Sequence, residues 1–152
     1  MSQNNVKLNE VKDFAFLADK SYKTANGKEG QLPKAKEGVI TNPATNSSFE
    51  VVEQENEYTA FGKGFGFSGT VFKNTETNEY VIAFRGTDLR DGEDILDNLI
   101  MGATSTGLLG DVTNKQFSQA FAFASEQIAE ILAKDPNAKI SITGHSLGGA
   151  LA

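Results

Sequence analysis

The sequence predicts an α/β protein with a partly parallel sheet. Two observations carry that expectation. An apolar run at Glu79–Phe84, a long helical pattern and a short strand at Lys139–Thr143 succeed one another as a βαβ crossover, which joins parallel strands. The second strand then runs straight into Gly144-His145-Ser146-Leu147-Gly148, a glycine-flanked turn that opens a small-residue helix start. A length of 152 residues fits one domain with a real core.

Each element has its own signal. Val11, Phe14, Ala15, Ala18 and Tyr22 recur at helical spacing, which predicts a helix over Asn9–Tyr22 with Asn9 as its N-cap. Lys23–Ser48 is rich in Gly, Asn, Lys and Thr and reads as loop, with a short edge strand around Val39-Ile40. Strands are expected at 49–52, 57–61, 69–73 and 79–84. The five turn-forming residues Asn74–Asn78 make the last two a β-hairpin. The strand at 79–84 is apolar throughout, so it is expected to be central and covered on both faces. Ile95, Leu96, Leu99 and Ile100 suggest one or two helical turns. The clearest helix covers Thr113–Lys134, where Phe117, Ala120, Phe121, Ala124, Ile128, Ile131 and Leu132 form one stripe before Asp135-Pro136 ends it.

Composition excludes several functions. There is no cysteine, hence no disulfide, no thiolate catalysis and no Cys-built metal centre. A single histidine excludes a multi-His metal site within the chain, and no cofactor is implied. Twenty acidic against 14 basic residues give a net charge of −6, which argues against a nucleic-acid partner. Met1–Asn5 is polar, without the apolar region of a Sec-type signal peptide. No apolar run approaches the ~18 residues of a transmembrane span. Both a cytoplasmic protein and one exported through a signal outside this chain fit.

Two glycine motifs stand out, and context separates them. Gly64-Phe65-Gly66-Phe67-Ser68-Gly69 matches the dinucleotide fingerprint G-x-G-x-x-G, but Gly69 leads into a strand and not into a helix. Its glycines are therefore read as bending a strand or admitting a neighbouring segment. Gly144-His145-Ser146-Leu147-Gly148 has a strand before it and a helix start after it, the context of a nucleophile elbow. Such a turn presents the serine hydroxyl at the strand's C-terminal end. The residues two away must be tiny, which Gly144 and Gly148 satisfy, and Gly149 is expected to help helix and strand pack closely.

From Gly144 to Ala152 the chain resembles the elbow of the class 3 lipases, α/β-hydrolases related to fungal triacylglycerol lipases. Val81-Ile82-Ala83-Phe84-Arg85-Gly86-Thr87 is similar to that family's strand and oxyanion loop, with its F-R-G-[ST] signature. Asp94–Leu99 resembles the acidic–apolar segment next in that family's order, and Leu17–Tyr22 the N-terminal helix. Val112–Phe117 departs from the V-H-x-G-F-like stretch of many members.

The resemblance implies an α/β-hydrolase-type sheet with strand, elbow and helix. It implies Ser146 as nucleophile, with Thr87 and the N–H of Leu147 forming the oxyanion hole. His145, beside the nucleophile on a tight turn, is read as a packing or hydrogen-bonding residue and Arg85 as structural. In this fold the order is Ser, then Asp, then His. The expectation is therefore that residues 1–152 form the N-terminal part of a single hydrolase domain, truncated after the elbow. The implied activity is carboxylic-ester hydrolysis of lipase or phospholipase type through an acyl-enzyme, on a lipid or other ester substrate, with transient contact at a lipid interface. The 152-residue chain alone is expected to be inactive. A non-catalytic binding module and another serine hydrolase, such as a thioesterase, remain the alternatives.

Overall fold

A computed structural model of the chain describes residues 3–56, 67–85, 108–145, 148, 149 and 152. The elements are α1 (Gln3–Lys20), β1 (Val39–Thr41), β2 (Ser48–Asn56), β3 (Ser68–Asn74), β4 (Glu79–Phe84), α2 (Leu108–Lys134) and β5 (Lys139–Gly144). The strands form one sheet in the order β1-β2-β3-β4-β5. The first three pairings are antiparallel, and β4 with β5 is parallel. The predicted crossover is therefore present, with α2 as its helix. The strand predicted at 57–61 and the turns at 94–100 lie outside the described residues.

The β3–β4 hairpin forms because Asn74 folds its own turn. Its side-chain oxygen accepts the backbone N–H groups of Glu76 (2.9 Å) and Thr77 (3.2 Å). The same corner sets the β4–β5 register. Lys139 N donates to the Asn78 carbonyl at 3.0 Å, and the Asn78 amide donates to the Asp135 carboxylate just past α2. Glu79 then faces Lys139, and Phe84 faces Gly144 at the far end.

Side chains alternate across the sheet and build two cores. Leu17 of α1 packs with Phe49, Val51, Phe72, Val81 and Ala83 on one face. Ala120, Phe123 and Ile131 of α2 pack with Phe67, Val71, Ile82 and Phe84 on the other. β4 is thus central and covered on both faces, as its uninterrupted apolar run predicts. Phe67, Phe84 and Phe123 make an aromatic group with centroids 5.7–6.5 Å apart. Gly69 opens the space for it, since a Cβ there would sit 2.7 Å from the Phe123 ring. This is the close approach expected of the first glycine motif; Gly64 and Gly66 lie outside the described residues.

Both helices differ from expectation. α1 begins at Gln3, so Asn9 is an interior residue and not the cap. Val11 is 62% exposed, and the buried stripe runs through Leu17, Ala18 and Ser21. α2 begins at Leu108, five residues early. Its buried stripe runs through Gln116, Ala120, Phe123, Gln127 and Ile131, while Phe117, Phe121 and Leu132 are exposed. Apolar residues cover so much of α2 that periodicity alone does not choose between its faces. The Gly69 opening chooses Phe123.

A β-bulge in β2 has consequences for the site. Val51 opposes Phe72 and Gln54 opposes Thr70, so three steps along β2 match two along β3. Directly opposed residues share a face, and without the bulge Gln54 would point to the other side. With it, Gln54 joins the α1 face. Among the described residues no helix is long and apolar enough to cross a membrane.

Candidate active site

β4 and β5 end side by side, with Phe84 and Gly144 paired in register. Beyond Gly144 the chain turns through His145 into a helix start. Gly148 N donates to the His145 carbonyl at 2.9 Å, and Ala152 N donates to the Gly148 carbonyl at 3.1 Å. Strand, turn and helix start therefore come in the order the sequence predicts.

The turn leaves no room for side chains on its flanks. A Cβ at Gly144 would collide with the carbonyl of Gly148, and a Cβ at Gly148 with the carbonyl of Phe84. Neither obstacle can rotate away, because both are backbone. The two contacts press the helix start onto the β4 end. Gly149 differs from expectation: a Cβ there would meet the Gly144 carbonyl at 3.4 Å, an ordinary van der Waals contact, so close packing does not require glycine.

Just past β4, Arg85 N donates to the Ser68 carbonyl at 3.0 Å and extends the β3–β4 pairing beyond Phe84. The three sequence-predicted site residues, Ser146, Thr87 and Leu147, lie outside the described residues. The described residues that flank them in sequence, Phe84 and Arg85 before Thr87 and Gly144, His145 and Gly148 around Ser146 and Leu147, lie at the ends of β4 and β5.

His145 has the hydrogen-bonding role expected of it. Its Nδ1 lies 3.1 Å from the Tyr22 hydroxyl, and the rings meet edge to face at 5.8 Å. The hydroxyl donates when the imidazole proton is on Nε2 and accepts when it is on Nδ1. Sequence reasoning assigned Tyr22 to a helical stripe and missed this contact across 123 positions. It also missed the polar group beside it. Gln54 Nε2 donates to the Thr70 hydroxyl (2.7 Å) and the Lys23 carbonyl (2.9 Å), while Gln54 Oε1 accepts from Ala25 N (2.7 Å) and the Asn56 amide (2.8 Å). The Ser68 hydroxyl donates to Asn56 Oδ1 at 2.6 Å. No motif marks these residues, because the bulge that aligns them is a tertiary feature. Among the described residues no group of three or more His, Cys, Asp or Glu side chains is placed to hold a metal ion.

Residues 13–152 match the family model of the Tle-like phospholipase domain, a range that takes in Phe84–Thr87, α2 and the glycine-flanked turn at 144–148. The chain belongs to the Tle-like phospholipase family. A comparison with curated proteins returned no match. Among solved structures, the Tle-like domain is similar to Lip2 lipase from Yarrowia lipolytica, with 20% identity and a TM-score of 0.66 over 100% of this chain and 52% of that one. It is also similar to a mutant form of MDLA from Penicillium cyclopium, with 21% identity and a TM-score of 0.59 over 99% of this chain and 55% of that one. At such identities the likeness establishes a shared fold and nothing further. The Tle-like chain spans about half the length of the solved structures it matches.

Proposed function

We propose that the protein is a serine carboxylic-ester hydrolase of lipase or phospholipase type, with Ser146 as its nucleophile. In this reading Ser146 Oγ attacks the ester carbonyl while a general base takes its proton. The N–H groups of Thr87 and Leu147 hold the oxyanion of the tetrahedral intermediate. The alcohol leaves with the proton, and water then releases the acid from the acyl-enzyme. The base is a histidine other than His145, which is bonded to Tyr22 through Nδ1 and adjoins the nucleophile. Since the chain has one histidine, that base is not among these 152 residues in this reading, and the chain alone is expected to be inactive. Family membership supports a lipid ester as substrate. Transient contact with a lipid interface belongs to the same reading, and exposed Phe117 and Phe121 on α2 are suited to it.

The observation that carries the proposal is the collision a Cβ would meet at both Gly144 and Gly148, the demand expected of a nucleophile elbow. The test is hydrolysis of a short-chain aryl ester by the full-length protein and by Ser146→Ala. Turnover that disappears in the variant is expected. Equal rates in the two proteins would remove Ser146 from the mechanism.

A further inference from the structure

We propose that Tyr22 is a positioning residue: through His145 it holds the elbow turn against the end of α1. The proposal rests on the reading of Ser146 as nucleophile and extends it to a residue 124 positions away in sequence.

The placement comes from the sheet. Ser141 and Thr143 pair with Val81 and Ala83, which face α1. His145, two residues further, continues on that side and reaches Tyr22. Tyr22 itself sits between two anchors. Before it, Leu17 near the end of α1 and Ser21 just past it are both buried, with Ser21 N donating to the Leu17 carbonyl and Ser21 Oγ donating to the Ala18 carbonyl at 2.7 Å. After it, Gln54 holds Lys23 and Ala25 through backbone groups on both sides of Thr24. The loop can therefore resist movement of the ring that it presents to His145.

The physical effect is on geometry. A nucleophile must meet its base and its oxyanion donors together, and small displacements of a reacting group cost rate steeply. His145 immediately precedes Ser146, so fixing its side chain restrains the backbone of the turn. The hydroxyl–imidazole contact is solvent-exposed, and its net worth to global stability is small. Loss of the hydroxyl thus separates positioning from folding, because the edge-to-face ring contact survives in phenylalanine.

The experiment uses the full-length protein with a p-nitrophenyl ester and a fluorophosphonate that labels the nucleophilic serine. Tyr22→Phe is expected to lower kcat and the labelling rate about tenfold, with KM and thermal midpoint near those of the parent. His145→Asn keeps a hydrogen-bonding atom near the place of Nδ1 and is expected to retain most of the rate that His145→Ala loses. In the His145→Ala background, the effect of Tyr22→Phe should shrink. Parent-like kcat in Tyr22→Phe, equal rates in the two His145 variants, or an unchanged Tyr22→Phe effect without the imidazole would each overturn the proposal. Absence of Ser146-dependent turnover and labelling in the parent protein is a different result: it removes the nucleophile assignment, and the positioning role with it.

Discussion

Gly148 rests against the carbonyl of Phe84 so closely that no Cβ fits between them. One backbone contact thus joins the helix start after β5 to the end of β4. In the proposed mechanism the nucleophile and one oxyanion donor immediately precede Gly148 in sequence, and the other donor follows Phe84 by three residues.

Substitution at this contact should therefore damage turnover more than its size suggests. Gly148→Ala has to displace backbone, and it is expected to reduce ester turnover by about a hundredfold or more. Gly149→Ala, where a Cβ meets only ordinary contact, should keep near-parent activity. Comparing the two variants under identical assay conditions checks the distinction.

The two neighbouring phenylalanines of α2 should behave oppositely. Phe123 is 3% exposed and packs on Phe67 and Phe84, whereas Phe121 is 77% exposed. Phe123→Ala is expected to cost about 3–5 kcal/mol and Phe121→Ala under about 0.5 kcal/mol in urea unfolding.

Gly69→Ala tests the same interface from the sheet side. The added methyl would lie 2.7 Å from two ring atoms of Phe123, so the helix or ring must shift, at about 1–3 kcal/mol. In the Phe123→Ala background the penalty should largely vanish, since the obstructing ring is gone. A double-mutant cycle by denaturant unfolding measures that coupling.

Asp13 ties α1 to the turn at 42–47. Its Oδ1 accepts from the Asn42 amide (2.7 Å) and the Thr45 hydroxyl (2.5 Å), and its Oδ2 from the Ser47 hydroxyl (2.8 Å). Asn42 is buried. Asp13→Ala leaves three donors without this acceptor and is expected to cost about 1–3 kcal/mol. Limited proteolysis should show faster cleavage within 42–47 while the β3–β4 hairpin stays protected.

Gln54 anchors the loop that presents Tyr22. Gln54→Leu removes the acceptor of Ala25 N–H and should speed amide exchange at Ala25. Thr24 N, bonded to Gln31 Oε1 at 2.6 Å, provides an internal reference that should change far less.

Local pattern and local chemistry carried much of this protein. The run Glu79–Phe84 matches β4 residue for residue, because a strand covered on both faces needs every position apolar or nearly so. Asn74 makes its own turn, and the crossover order dictates that β4 and β5 are parallel. The demand for glycine at position 144 also comes from the turn itself, whereas at 148 it comes from the carbonyl of Phe84, 64 positions earlier. Contacts distant in sequence were decided by tertiary structure. Phe123 and not Phe121 is buried because Gly69 leaves a space for a ring on the sheet. Gln54 reaches the α1 face because a bulge reverses the alternation of β2. Tyr22 meets His145 because the end of a helix and the end of a parallel strand converge, a coincidence of packing that neither segment encodes alone.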